Sequence, residues 1–469
     1  MPDVAIAAPN EAAADAGEQV ARAGGNAVDA ALAASLVTMV NEVGLVSLSS
    51  GGFVTIQPSG GGAPYTVDGW MDMPGRGGGP LGGGTWDIHT GYGGGVDITI
   101  GPGSVAAHGS VAAFEEAHRR DGRLPWREVV APAIDVARGG FRLSAASRYY
   151  LEYVHDSIFG WDETSRAAVH DLQGEIVTDL VVVPDLADSL ELIATEGAVA
   201  LHTGDLARLI ATDVRARGGL LGPDDLAAYA PVTRPSLATR AGRWTLATTP
   251  PPTVGGISVA AMLGLLEGRP QGAWTDADVE LMIRIQREVL GRGPASLLES
   301  SSTTHCSATD TEGGACAVTV SSGYFSGMIA QGTGIWLNNT LGEQELNPGG
   351  LHALAPGTRL LSNMAPTVGR HADGSVLAIG SPGAGRIATA ITQVLAGIAG
   401  GLSLQEAVHH PRVHVHHPGR PDEVVKRETE EGLTMYYGGV GVTLVHPDGH
   451  LVAAADPRRE GAVRLVRST

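Results

Sequence analysis

The chain has 469 residues, with 50 acidic against 31 basic side chains and a formal net charge of −19. That balance argues against a nucleic-acid partner and fits the acidic surface of a soluble enzyme. Two cysteines cannot build a disulfide scaffold and fit a reducing compartment, and no apolar run of about 18 residues is available to span a membrane.

Met1-Pro2-Asp3-Val4 carries no basic leader, so a cytoplasmic address is expected. Asn10 is placed to cap a helix over Glu11–Ala23 that stops at Gly24-Gly25, and Asn26 to cap a second over Ala27–Val40. Strands are predicted at Phe53–Gln57 and Tyr65–Asp68. The glycine-rich stretch Gly75–Gly95 lacks a phosphate-binding pattern and reads as loop. Helices follow at Val105–Arg119, Pro125–Ala137, Asp185–Glu196, Thr203–Arg217, Gly256–Leu266 and Thr275–Leu290, so the chain up to about residue 300 reads as mostly helical after an α/β opening. The polar tract Glu299-Ser300-Ser301-Ser302 reads as exposed loop.

From Thr303 the pattern becomes β-rich. Thr304–Thr309 and Ala315–Ser321 flank Asp310-Thr311-Glu312-Gly313-Gly314, a hairpin signal. A turn centred on Glu312 pairs residues whose numbers sum to 624 and sets Thr303 opposite Ser321, two hydroxyls at the open end; on its own such a pair is usually structural. The same sum pairs Cys316 with Ala308, so no disulfide to Cys306 is expected. Further strands are predicted at Gly334–Asn338 and Ser375–Ile379, a helix at Ala388–Gly400, and a hairpin of Gly441–Val445 with Leu451–Ala455. Layered sheets with helices outside follow.

Ordered motifs run nearly end to end. They are Arg22-Ala23-Gly24-Gly25-Asn26-Ala27-Val28-Asp29-Ala30-Ala31, Thr303-Thr304-His305-Cys306-Ser307, Gly334-Ile335-Trp336-Leu337-Asn338-Asn339, Leu361-Ser362-Asn363-Met364-Ala365-Pro366-Thr367, Gly380-Ser381-Pro382-Gly383-Ala384-Gly385-Arg386-Ile387 and Ala455-Asp456-Pro457-Arg458. In these the chain resembles the γ-glutamyltranspeptidase family of N-terminal-nucleophile hydrolases. The resemblance implies a four-layer αββα sandwich, built from a large chain 1–302 and a small chain 303–469 after self-cleavage between Ser302 and Thr303. It implies that Thr303 is nucleophile and, through its new α-amine, base; that Ser321 orients the amine; and that the Gly383 and Ala384 N–H groups form the oxyanion hole. Ala384 stands where the family has a second Gly.

The family's recognition residues are altered. Its carboxylate-binding Arg sits in a Gly-Arg-Glu-x-x-Pro-like segment; here Gly69-Trp70-Met71-Asp72-Met73-Pro74 puts Trp70 in its place. Arg76 lies nearby, but a guanidinium fork must be aimed, which weighs against it as a substitute. Glu343 replaces an α-amino-binding Asp, Asn363 one of two paired hydroxyls (Ser362 remains), and Gly323 a usual Asn. Retained machinery with altered recognition implies a different small-molecule substrate, no cofactor, and hydrolysis of an amide or, as in alkylproline-building antibiotic pathways, a carbon–carbon bond next to a carbonyl. The rivals are an ordinary γ-glutamyltransferase acting on glutathione, which Trp70 opposes, and an uncleaved binding homologue, which intact Thr303, Ser321 and Ser362 oppose.

His409, His410, His414, His416 and His417 alternate with valines around Pro411 as on a strand, and no metal is expected there. His305 is read as a strand neighbour of the nucleophile that faces away from it and has a structural or processing role.

Overall fold

A computed structural model describes residues 1–79, 83–92, 95–266, 272, 274–291, 302–344, 346–347, 349–429 and 434–468. Two antiparallel sheets stack face to face. The first has seven strands in the order Ala462–Val466, Val4–Ala8, Ser302–Asp310, Ala315–Gly323, Gly51–Gln57, Tyr65–Gly69 and Val232–Pro235. The second has six, in the order Leu451–Ala455, Gly441–Val445, Val376–Gly380, Thr367–His371, Trp244–Thr248 and Leu237–Ala241.

Small and branched side chains fill the layer between them: Ala5, Ala317, Val368, Val376, Ala378 and Val445. Strand alternation then sends the intervening residues outward. Cys306, Ala308, Val318 and Val320 meet the core that holds helix Ala27–Asn41, and Leu377 and Ile379 meet the core that holds helix Ile387–Ala399. Helices Glu11–Arg22, Ala27–Asn41 and Ser110–Asp121 pack on the first sheet, and Val254–Leu265 with Ile387–Ala399 on the second. The result is the αββα sandwich. No helix among the described residues is long and apolar enough to cross a membrane.

Local chemistry starts the first two helices as the sequence predicts. The Asn10 side chain accepts from Ala13 N–H, while Asn26 accepts from Val28 and Asp29 N–H, with Asp29 closing the capping box. Every residue of Ala27–Asn41 is buried, because this helix lies between the sheet and helices Glu11–Arg22 and Trp126–Gly139.

Several expectations need correction. The stretch 75–95 is not all loop: Trp86–Thr90 pairs with Val96–Ile100. The helix expected from Val105 begins at Ser110, because Ala107 is held in a bridge with Asp72. The chain before residue 300 is less helical than it reads, since Val232–Pro235, Leu237–Ala241 and Trp244–Thr248 are strands that complete both sheets. The strand expected over Gly334–Asn338 shrinks to Ile335–Trp336. Of the tract 299–302 expected as loop, Ser302 instead opens strand Ser302–Asp310 by pairing with Gly323, and 299–301 lie outside the described residues.

Candidate active site

The hairpin forms with the expected register. Ala315 faces Thr309, Cys316 faces Ala308 and Ser321 faces Thr303, each pair summing to 624. Past Ser321 a bulge shifts the register, so Gly323 faces Ser302. Ser321 also pairs with Gly51 on its other side, giving one row across three strands: Thr303, Ser321, Gly51. Thr303 and Ser321 are each 1% exposed.

Cross-strand partners share a face, and this row faces the second sheet. His305, two residues along from Thr303 and therefore on the same face, shows this: a Cβ built on Gly380 of the second sheet would stand 2.3 Å from its ring. The expectation that His305 turns away from Thr303 is thus corrected, since only residues of opposite parity do so. Its structural character is clear. The ring nitrogens sit 2.8 Å from Thr319 Oγ1 and 2.7 Å from Ser307 Oγ, and burial pushes its pKa down to about 3, so the ring is neutral.

Strand Val376–Gly380 delivers the loop Ser381–Ala384 to the same end of the sandwich. Gly380 packs on His305, and Pro382 lines a small cavity together with Thr304, His305, Glu42, Gly439 and Arg459. Gly383 has φ 118°, and Ala384 is left-handed at φ 54° before the turn Ala384–Arg386 leads into helix Ile387–Ala399. An L-residue held there costs about 1–2 kcal/mol. Ala384 therefore holds a backbone conformation that glycine adopts more cheaply.

One partner of the row escaped sequence reading. The buried Arg459 donates from Nη1 to the Thr303 carbonyl oxygen at 3.4 Å and from Nη2 to Met435 at 3.2 Å. Burial lowers the Arg459 pKa, opposed by the charge of Glu42, whose own carboxyl burial pushes up. The available signal was the motif Ala455-Asp456-Pro457-Arg458, which ends one residue short of it. Asp456 anchors that segment, with Arg412 at 2.6 Å and Arg458 at 3.1 Å.

The altered recognition residues gather beside the row. A Cβ on Gly51 would stand 2.8 Å from Trp70 Cε3, so the indole occupies the place of a side chain next to Ser321. Trp70 is buried, stacks on Phe53 with centroids 6.3 Å apart, and donates from Nε1 to the Leu361 carbonyl at 2.8 Å. That bond fixes the turn into Ser362 and Asn363. Ser362 Oγ accepts from Met364 N–H at 3.2 Å, and the Asn363 carbonyl lies against Gly255.

Gly323, at φ 68°, lies against two side chains: its Cβ would stand 2.4 Å from Asn339 Oδ1 and 2.9 Å from Glu343 Oε1. Glu343 is fully buried. Asn339, within the quoted 334–339 motif but not singled out, accepts from Tyr324 N–H at 2.5 Å. The Arg76 guanidinium lies against Gly357. Arg359 instead meets Asp68 at 2.8 Å and Asp72 at 2.7 Å.

Cys306 and Cys316 are free and buried, as the register requires. Of the histidines at 409–417, His410 faces the Pro411 carbonyl, His414 the Thr389 hydroxyl and His417 the Asp422 carboxylate. Among the described residues they supply no three-ligand group.

A buried hydroxyl pair thus closes the open end of the hairpin, and the loop that starts helix Ile387–Ala399 enters the sandwich at the same end. The chain is 29% identical to the glutathione hydrolase proenzyme of Escherichia coli K12, covering 97% of this chain and 90% of that one. It is 28% identical to the acylase ACY 1 proenzyme of Pseudomonas sp. strain V22, over 95% and 90%. The solved cephalosporin acylase of Bacillus halodurans superposes with a TM-score of 0.79 at 20% identity, over 100% of this chain and 96% of that one. The gamma-glutamyltranspeptidase family model matches residues 13–291 and 286–466. This chain is an enzyme of the γ-glutamyltranspeptidase family, with the fold of the N-terminal-nucleophile hydrolases.

Proposed function

We propose that the protein is a self-processing hydrolase whose nucleophile is Thr303 and whose substrate is not a γ-glutamyl compound. The Thr303 hydroxyl attacks the Ser302 carbonyl carbon, the acyl group moves from nitrogen to oxygen, and water hydrolyses the ester. Chains 1–302 and 303–469 result, with a free α-amine on Thr303. That amine titrates near pH 8 in a free peptide and takes the hydroxyl proton when the substrate carbonyl is attacked. Ser321, one strand spacing away, orients it. The Gly383 and Ala384 N–H groups receive the oxyanion, the leaving group takes the proton, and water releases the acyl chain.

The observation that carries this reading is the row Thr303–Ser321–Gly51, with Trp70 over Gly51. The row keeps the nucleophile's geometry, while a buried aromatic pair occupies the clamp position and favours an acyl group without a carboxylate at that point. The acylase names among the relatives support the same direction. The substrate is a small molecule of a biosynthetic pathway, antibiotic pathways included. The bond broken is an amide or a carbon–carbon bond next to a carbonyl, and product analysis separates the two.

Denaturing electrophoresis and intact-mass measurement test the processing. Wild type gives two chains joined at Ser302/Thr303 in the precursor, and Thr303→Ala gives one; a wild-type chain that stays intact refutes the nucleophile. In a panel of acyl anilides, neutral acyl groups turn over faster than γ-glutamyl anilide. Brisk γ-glutamyl turnover that glutathione inhibits refutes the pocket reading.

A further inference from the structure

Away from the proposed nucleophile, three potential metal ligands meet at the end of two helices. His155 follows helix Ala145–Val154, and His170 follows helix Glu163–Val169, each at the C-terminus, where the helix dipole favours a cation. His155 Nδ1 is 3.0 Å from His170 Nε2, and an Asp156 carboxylate oxygen is 3.5 Å from His170 Nε2 and 3.7 Å from His155 Nδ1.

Those separations have a meaning. Ligands 2.0–2.1 Å from a tetrahedral zinc ion stand about 3.3–3.4 Å from one another, and the three distances here average about 3.4 Å. A point about 2.0 Å from all three atoms exists, close to their plane.

The proton arrangement also fits. His170 Nδ1 lies 3.0 Å from the Arg166 carbonyl oxygen, which can only accept, so Nδ1 carries the proton and Nε2 presents a lone pair. A backbone carbonyl fixing a histidine tautomer in this way is the usual outer shell of a metal-bound imidazole. His155 need only carry its proton on Nε2 for its own Nδ1 lone pair to face the same point. The His170 side chain is 2% exposed and that of Asp156 72%, so one ligand is held by the core and another is open to entering ions.

We propose that His155, Asp156 and His170 form a binding site for a divalent transition metal, zinc being the best match to two imidazoles and one carboxylate. The ion closes the segment 155–170 on itself. That segment holds the chain leaving the hairpin: Trp161 Nε1 donates to the Ser326 carbonyl at 3.3 Å, and Ile158 and Trp161 lie against Gly327. Tyr150, in the helix before His155, donates to the Tyr324 carbonyl at 3.0 Å. The ion acts as a staple behind Gly323 and has no part in the chemistry at Thr303.

The test uses full-length, untagged, chelator-treated protein titrated with Zn²⁺ alone by calorimetry, and with Co²⁺ while its visible absorption is followed. One saturable site per chain is expected, with an intense tetrahedral Co²⁺ spectrum. Zinc at about a hundredfold above Kd raises Tm by about 3 °C for a chain of this length. Asp156→Asn, at an exposed position, weakens binding about 10–100-fold. His155→Gln removes the Co²⁺ spectrum, while the metal-free Tm of both variants stays near that of metal-free wild type. Absence of a saturable site overturns the proposal, as does a site whose affinity is the same in wild type, Asp156→Asn and His155→Gln.

Discussion

Gly323 is the position where the site's geometry makes the sharpest energetic statement. Adding one methyl group there has two consequences. The backbone sits at φ 68°, where an L-residue costs about 1–2 kcal/mol. The new Cβ would also stand 2.4 Å from Asn339 Oδ1, so Asn339 must move and release the buried Tyr324 N–H it accepts, a loss of about 1–3 kcal/mol. Reduced freedom of the unfolded chain returns about 0.4–1 kcal/mol. The net destabilisation of Gly323→Ala is therefore about 2–3 kcal/mol. Gly313→Ala is the control: its φ is 82°, but the nearest atom to its Cβ is the tip of Arg370 at 3.9 Å, so the backbone contribution stands alone. Urea unfolding of the two variants should show Gly323→Ala less stable by at least about 1 kcal/mol, the low end of the cost of an unpaired buried N–H. Equal stabilities would refute the claim that Asn339 and Glu343 dictate a glycine here.

Four further outcomes follow from the site's surroundings. Ala384→Gly relieves about 1–2 kcal/mol of left-handed strain but loses about 0.8 kcal/mol of methyl burial and adds unfolded-state freedom, so chemical denaturation should place it within about 1 kcal/mol of wild type. Gly383→Ala, with its Cβ 3.0 Å from Gly438 Cα at φ 118°, should lose about 2 kcal/mol or more in the same experiment. Asp456→Asn leaves Arg412 and Arg458 facing a neutral partner in a buried site; thermal and urea unfolding should show a loss of about 3–5 kcal/mol. For His305 the sign follows from a folded pKa of about 3 set below the ordinary value near 6.5: the unfolded chain binds the proton first, so stability is intact above pH 6.5 and falls as pH drops towards 3. Relative to His305→Gln, wild type should lose about 2 kcal/mol between pH 7 and pH 5, read from paired denaturation curves.

What the sequence reveals and what it hides divide along sequence distance. The hairpin register is legible because period-two alternation and a glycine-bearing turn are local, and the helix starts at Asn10 and Asn26 are legible because a cap is satisfied within three residues. The strands Leu237–Ala241 and Trp244–Thr248 are hidden between helical stretches; Trp244–Thr248 gains its place by pairing with Thr367–His371 and carries its hairpin partner Leu237–Ala241 to the edge of the second sheet. The hydroxyl pair Thr303–Ser321 could be found by arithmetic within one hairpin. Arg459 could not, because it reaches the Thr303 carbonyl across 156 residues of chain. Trp70 is legible, through the resemblance, as standing at an expected arginine position, but not as the occupant of the space that Gly51 leaves empty.

That last difference decides what restoring the arginine would do. Trp70 is buried, stacked on Phe53, bonded to Leu361 and seated on Gly51 beside Ser321. Trp70→Arg removes a large buried aromatic, worth about 3–5 kcal/mol when deleted, and introduces a charge. The nearest carboxylates in this segment, Asp68 and Asp72, are already paired with Arg359. Leaving a buried guanidinium without its own carboxylate adds to the loss. The proposed pocket also includes Gly323, Glu343 and Asn363, and a lone guanidinium changes none of them, so it arrives without groups chosen to aim a carboxylate substrate. The variant should be less stable than wild type by at least about 3 kcal/mol in urea unfolding. It should show no gain in γ-glutamyl anilide turnover per folded molecule. A variant that folds with wild-type stability and hydrolyses γ-glutamyl anilide would show instead that recognition changed at one residue, with the rest of the pocket still built for the family's usual acyl group.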